Sequence, residues 1–343
     1  MLKQIKQVFS FYRDEYRKHL FKSRVSYLIN YFELLFSSYL NRNRKLVAIS
    51  LIEHIGDIIA NEPISREIRK KHPSSTIIWF VRKPFKELIK YNPNIDEVLT
   101  VYCLTTWIKI REKIKFEAVY DLHFNGRTCN YCHVALKKED VDDLINSTNY
   151  FNYGGLLKAV CLHNKIEISD ATPQMYIPAK IINKSKFLIP DENYVVIHCC
   201  SNEPIKDWDN NKWDQLVKIL TDDFKYHVIE IGTNSVINTE SDLYHNLCAK
   251  LSILQSAFVI KEAKLFIGID SGPAHMANAV GTPGIILLGE YYFGMKNFNP
   301  FSGNYGSLEN CRIIHSSDIV KSITVDSVIK SVEELLRLSS LVI

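Results

Sequence analysis

The sequence predicts an α/β protein: two doubly wound parallel-sheet domains facing across a cleft, preceded by a helical arm. Three observations predict it. Short apolar, β-rich runs alternate with helical stretches from residue 46 onward, pause in a stretch carrying Pro173, Pro178 and Pro190, and resume at Tyr194. A chain of 343 residues is long enough for two domains of ordinary size.

The elements follow in chain order. In the arm, Ile5, Phe9, Tyr12, Tyr16 and Leu20, then Leu28, Tyr31, Phe32 and Leu35, recur at helical spacing with Lys and Arg between them, so one or two basic amphipathic helices are expected. Leu46 to Leu51 is a first strand, and a loop reaching Gly56 and Asp57 leads into a helix ending near His72. Strands follow at Thr76 to Val81, Glu97 to Val101 and Ala118 to Leu122, and residues 138–165 look helical. The second round runs from the strand Tyr194 to His198 through a helix around Trp213 to Leu220 and the strand His227 to Ile231. A helix near Leu254 to Ala263 and the strand Leu265 to Ile269 come next. The turn at Asp270 then opens a further helix, followed by the strand Gly284 to Leu288 and a closing helix from Ser327 to Leu338. The expected divisions are an arm over 1–45, domains over 46–180 and 190–325, and a closing helix over 326–343.

Hydrophobic residues at 46% and charged ones at 23% describe a soluble globular chain and exclude disorder and collagen-like repeats. The net charge of +4 is unevenly placed: residues 1–45 hold ten Lys and Arg against three acids, +7, which leaves −3 on the remainder. A nucleic-acid binder would spread positive charge over its folded domains, so no nucleic-acid partner is expected. The basic arm points to one surface that meets something anionic. Such a helix can lie on an anionic membrane, or pack on the body of the protein or on a partner chain. Tyr27 to Leu40, its most apolar part, is too short to span a bilayer and contains Asn30 and Glu33. No apolar stretch ending at a small-residue cleavage site opens the sequence, so a cytoplasmic setting with the eight cysteines reduced is expected. Cys129, Cys132 and His133 have the spacing of a c-type haem attachment, a chemistry that needs export, so neither haem nor a metal is expected there. Cys199 and Cys200, adjacent at a strand end, are expected to pack.

The segment richest in chemistry follows the strand Leu265 to Ile269. Gly272 permits close backbone approach, and Pro273 suits a first helical turn whose N–H groups and positive dipole end can hold a phosphate. Asp270, at the strand end, is placed to accept hydrogen bonds from sugar hydroxyls. The same residues also describe a plain tight turn with a helix cap, and His275 a helix histidine satisfied by its neighbours.

Asp270-Ser271-Gly272-Pro273-Ala274-His275-Met276-Ala277-Asn278-Ala279-Val280-Gly281-Thr282-Pro283, followed by Ile285 to Gly289, resembles the signature of glycosyltransferase family 9, the heptosyltransferases of bacterial lipopolysaccharide synthesis. Other segments agree in order: Ile49 to Asp57 with Pro63 and Ile64; His72-Pro73, Pro84-Phe85, Asn92-Pro93 and Asp96; and Lys206, Trp208 and Trp213. The resemblance covers about residues 45–338. It implies an inverting GT-B transferase with an acceptor-binding N-terminal domain, a nucleotide-sugar-binding C-terminal domain and no metal or other cofactor. By match to the family's Gly-Asp, Asp57 would be the base that takes the acceptor proton, though an Asp there also suits a helix N-cap. Lys206 would meet the diphosphate, unless it is only an exposed salt-bridging lysine. Ser201, Asn202, Ser271 and Gly272 fall where the family contacts phosphate, Leu251 where its backbone meets the nucleobase, and Asp270 where it holds the sugar; His275 completes the set.

The match fails in places. The family's ribose-binding glutamate, a few residues beyond Gly232, is missing until Glu240, Asn202 replaces a hydroxyl, and Glu290-Tyr291-Tyr292 is atypical after Gly289. The expected activity is transfer of heptose from a nucleotide-diphosphate heptose, ADP-heptose by family precedent, to a lipid-linked saccharide of the lipopolysaccharide or lipooligosaccharide type. The enzyme is expected at the inner face of the bacterial inner membrane, held there by residues 1–40. GDP-heptose or a hexose as donor, a capsule or other glycan as acceptor, a nucleotide-sugar epimerase and a non-catalytic nucleotide-sugar-binding module are the alternatives.

Overall fold

The computed structural model describes residues 2–40, 45–290, 298–316 and 318–340, except the side chains of 2–13, 37–40 and 338–340. In chain order the first elements are α1 (Leu2–Leu40), β1 (Leu46–Ser50), α2 (Ile55–Ala60), α3 (Pro63–Lys71), β2 (Thr76–Arg82), α4 (Lys86–Ile89), β3 (Glu97–Val101), α5 (Leu104–Lys113), β4 (Ala118–Asp121) and α6 (Leu156–Asn164). There follow α7 (Ala179–Ser185), β5 (Tyr194–His198), α8 (Asn210–Asp222), β6 (His227–Glu230), β7 (Tyr244–Asn246), α9 (Ile253–Lys261), β8 (Leu265–Ile269), α10 (Gly272–Val280), β9 (Gly284–Leu288), α11 (Gly303–Gly306), β10 (Cys311–His315) and α12 (Val325–Ser340).

These elements divide into two units. The first comprises Met1–His54, Ile64–Tyr150 and Val160–Ile168. Its four strands are all parallel, in the order β3-β2-β1-β4. Every residue of β1 is buried, as a parallel strand covered on both faces requires. Helix α1 is not a separate arm: it packs on α5 and β3 within this unit. The residues it turns inward are Leu20, Ser23, Tyr27, Asn30 and Leu34, spaced at three and four. Polar groups are admitted because they are paired, Ser23 Oγ with Thr106 Oγ1 at 3.0 Å and Asn30 Nδ2 donating to Thr100 O at 3.1 Å. Of the predicted apolar run, Leu20 packs inward, whereas Leu28, Phe32 and Leu35 are exposed. The Ile5, Phe9 and Tyr12 side chains lie outside the described residues.

Residues 138–165 are helical only over α6 and in a 3-10 turn at Tyr150–Tyr153. Short polar side chains compete with the helix upstream. Leu144 N–H donates to Asp142 Oδ1 at 3.0 Å and Thr148 N–H to Asn146 Oδ1 at 2.9 Å, two local turns that remove the donors a helix needs.

The second unit comprises Ile55–Pro63, Phe151–Ala159 and Ser169–Ile343. Its six strands are parallel in the order β10-β9-β8-β5-β6-β7, and β5, β8 and β9 are buried at every residue. The edge strands β7 and β10 are not legible in the sequence, because half-covered edges lack a continuous apolar run. Within the predicted linker, Pro178 precedes α7, which packs on α9. Trp208 and Trp213 are core residues, edge to face at 5.0 Å, with Trp208 Nε1 donating to Ile323 O at 2.9 Å.

Helix α2, predicted inside the 46–180 domain, packs in the second unit against α10. Two glycines set the contact. A Cβ on Gly56 would lie 2.7 Å from His275 Cδ2, and one on Gly272 would lie 2.9 Å from both Cβ and Cγ2 of Ile55. The β-branched Ile55 cannot swing away from its own Cβ. Gly272→Ala and Gly56→Ala are each expected to destabilise the second unit by about 1–3 kcal/mol. Urea unfolding of the full chain reads this as a lower midpoint; an unchanged midpoint for both would contradict the close approach.

Candidate active site

Chain order in the second sheet reverses at β5, which lies between β8 and β6. Ligands of open parallel sheets sit beyond the carboxyl ends of the strands at such a point. Here those ends are His198, closing β5, and Ile269, closing β8, with the Asp270-Ser271-Gly272 turn directly after.

Ser271 is the residue before α10 and has extended backbone, φ −159° and ψ 174°. Its hydroxyl does not cap the helix. It donates to Ile269 O at 3.1 Å and pairs with His198 Nδ1 at 3.0 Å, so the first turn of α10 keeps its positive end uncapped by a side chain. Burial pushes His198 down to about 4, and the ring is neutral at physiological pH. Its edge lies 3.3 Å from where a Cβ on Gly232 would stand, and Gly232 has φ +142°, a conformation that favours glycine.

Asp270 is held by Lys206, whose Nζ is 3.2 Å from Oδ2 and 3.5 Å from Glu203 Oε2. Lys206 ends a 3-10 turn, Pro204–Lys206, built by the loop that leaves β5. Ser201 organises that loop from inside: its N–H donates to Asp207 Oδ1 at 2.8 Å, and its hydroxyl donates to Glu203 O and accepts from Glu203 N–H. Asn202 is exposed on the same loop. Leu251 lies on a different turn, before Ser252, which caps α9 in a reciprocal box with Gln255.

His275 is buried on α10, tilted against Phe301 with ring centroids 4.6 Å apart. Burial lowers its pKa, the charges of Asp270 and Asp57 oppose that shift, and Lys206 adds to it. The four predicted residues Asp57, Lys206, Asp270 and His275 are thus electrostatic neighbours. Asp57 sits in the first turn of α2, and its carbonyl accepts from both Asn61 N–H at 3.1 Å and Asn61 Nδ2 at 2.9 Å.

His198, Phe301 and Ile55 belong to this site and are not singled out by the sequence. His198 could have been noticed as a polar residue ending an apolar strand; Phe301 carries no local signal. Glu230, also unflagged, is buried and orders the loop after β6. It accepts from Ser235 Oγ and Tyr244 OH, both at 2.5 Å, and from Val236 N–H at 3.2 Å. Glu240 is exposed. All eight cysteines are free thiols, Cys199 buried and Cys200 half-buried. His133 turns from the two cysteines it follows in sequence and stacks on Tyr16, centroids 6.3 Å apart and planes 10° from parallel.

Two buried neutral histidines give this unit an acid sensitivity. Unfolding returns His198 to its ordinary value near 6.5, so below that pH the unfolded chain binds a proton that the folded one refuses until about 4. His275 acts in the same direction. Stability is fully present above about 6.5 and is expected to fall as pH drops toward 4, read as a lower urea midpoint at pH 5 than at pH 7. A smaller loss in His198→Asn confirms the source; an unchanged loss contradicts it.

Residues 162–322 match the model of glycosyltransferase family 9 (heptosyltransferase). Lipopolysaccharide heptosyltransferase 1 of Campylobacter coli is 23% identical, the match covering 84% of this chain and 98% of that protein. Lipopolysaccharide heptosyltransferase 3 of Escherichia coli is 33% identical over 107 residues, 29% of this chain and 32% of that protein. Among solved structures, a family 9 glycosyltransferase from Veillonella parvula is 19% identical with a TM-score of 0.64, covering 85% of this chain and 97% of its own. ADP-heptose lipopolysaccharide heptosyltransferase II from E. coli is 18% identical with a TM-score of 0.64, covering 86% and 99%. The two parallel-sheet units have the GT-B fold of these structures. Over residues 162–322, just under half its length, the chain resembles glycosyltransferase family 9, and it is a glycosyltransferase.

Proposed function

We propose that this glycosyltransferase moves heptose from a nucleotide-diphosphate heptose, with ADP-heptose the preferred donor, to a saccharide of the lipopolysaccharide or lipooligosaccharide type. The observation that carries it is the gathering of Asp57, Lys206, Asp270 and His275 around the amino end of α10. The reaction is a single displacement that inverts the anomeric carbon. Asp57 takes the acceptor hydroxyl's proton as its oxygen attacks. The departing diphosphate gains negative charge, which Lys206 and the Ser271 and Gly272 N–H groups stabilise at the helix end. Asp270 holds both Lys206 and, through its hydroxyl contacts, the sugar. None of these steps calls on a metal ion. Three of the four relatives described above are heptosyltransferases by name, which supports heptose over a hexose, and one names ADP-heptose.

Asp57→Ala is expected to lower turnover by roughly 10²–10⁴-fold while leaving donor affinity, measured by calorimetry, nearly unchanged. Near-normal turnover would remove Asp57 from its role.

Helix α1 supports a membrane-surface partner. Opposite its packed face it exposes Phe21, Val25, Leu28, Ile29, Phe32, Leu35 and Phe36, spaced at three and four. Arg17, Lys18, Lys22 and Arg24 are exposed along the same helix, which suits an anionic lipid surface. No helix among the described residues is long and apolar enough to cross a membrane. Because the other face of α1 covers the core, point substitutions test this better than deletion. Phe21, Ile29, Phe32 and Phe36 changed together to Ser should weaken flotation with anionic vesicles, the wild-type binding falling as salt rises. Equal flotation of the two proteins would contradict membrane docking.

A further inference from the structure

Cys103 meets the neighbouring pair Cys129 and Cys132 in the core of the first unit. The sulfurs of Cys103, Cys129 and Cys132 all lie within 4.8 Å of one another, with Cys103 and Cys132 at 3.9 Å. None is more than 2% exposed. The edge of a tetrahedron of thiolates around zinc, with Zn–S near 2.3 Å, is about 3.8 Å, so this spacing needs little adjustment to close on an ion. Two different backbone devices build it. Cys103 stands immediately before α5, its side chain unused as a cap. Cys129 and Cys132 come from a tight hairpin closed by the Thr128–Ala135 bridge, in which Cys129 N–H donates to Val134 O and His133 N–H to Cys129 O, both at 2.9 Å. His133 takes φ +52° to complete the turn.

The surroundings suit thiolates rather than a plain apolar cluster. The backbone N–H groups of Thr105 and Cys132 face the Cys129 sulfur, whereas that of Thr106 is taken by Cys103 O at 3.0 Å. The first two are directed donors of the kind that orient and tune metal-bound sulfur. The amino end of α5 adds its positive dipole end. Thr105 Oγ1 is buried beside the Cys129 and Cys132 sulfurs yet makes no hydrogen bond of good geometry. A buried hydroxyl left so costs stability unless something occupies the space it faces.

The geometry points to a thiolate metal site formed by Cys103, Cys129 and Cys132, taking a thiophilic divalent ion of the zinc class with Thr105 Oγ1 at the fourth position. The site clips the start of α5 to the 126–136 hairpin within the first unit, whereas the residues proposed for transfer belong to the second, and the family resemblance implies no metal for that reaction. Binding releases the thiol protons to solvent, and no oxidant or reductant takes part. Zinc is the choice over harder ions because three sulfurs and no carboxylate make a soft donor set.

The test uses the full chain, purified without chelator and analysed for metal by mass spectrometry, then stripped, reduced and titrated with cobalt(II). About one zinc per chain, and a thiolate-to-cobalt charge-transfer band that saturates at one equivalent and is displaced by zinc, are expected. Cys129→Ser should lose the band, whereas Cys161→Ser, a buried cysteine of the same unit outside the cluster, should keep it. If a cysteine variant fails to fold, the wild-type cobalt spectrum still decides. The proposal is overturned by a reduced wild-type chain that shows no charge-transfer band, or by a disulfide between two of the three cysteines in the chain as purified.

Discussion

The close approach of α2 to α10 is the constraint on which the rest of the site depends. Gly56 meets the ring of His275, and Gly272 meets the branched side chain of Ile55. With no Cβ at either point, two short helices share one surface, and the first turn of one carries Asp57 while the first turn of the other opens at Ser271. The chain reaches this arrangement by leaving the first unit after His54 and re-entering it at Ile64. The proposed base is therefore built on the same unit as the proposed donor residues. Its position relative to them is set by packing, which tolerates less than a methyl group of error.

Electrostatics follow from that packing. Lys206 is paired with Asp270 at the end of β8, and His198 and His275 are kept neutral by burial, so positive potential at the amino end of α10 comes from Lys206 and the helix N–H groups and from neither ring. The Ser271 hydroxyl, turned toward His198 and Ile269, leaves the helix end to whatever anion arrives. Phe301 packs its ring against that of His275. Each of these is a modest effect alone. Together they suit the proposed reaction, in which negative charge develops on the leaving diphosphate.

Much of this was legible in the sequence because parallel strands buried on both faces are continuous apolar runs: Tyr194–His198, Leu265–Ile269 and Gly284–Leu288 stand where the pattern puts them. The Asp270 to Pro283 motif was equally plain, being a local turn whose residue types are fixed by backbone geometry. What was hidden depends on tertiary partners. Nothing local in Ile55 to Ala60 says that it packs with residues more than 200 positions away, and nothing near Cys129 announces Cys103. In α1 the apolar residues supplied two faces, and the sequence could not choose between them; paired polar groups at Ser23 and Asn30 decided it. Residues 138–155 misled because charged and amide side chains that suit an exposed helix also form the local turns that replace one.

Whether the segment carrying Asp57 belongs to the donor unit is open to direct measurement by native-state hydrogen exchange of the full chain in increasing urea. The amides of α2 and Asn61, whose N–H is bonded to Asp57 O, should join the opening transition of α10, distinct from that of β1 to β4. Exchange of α2 with the first sheet, while α10 stays protected, would contradict the account.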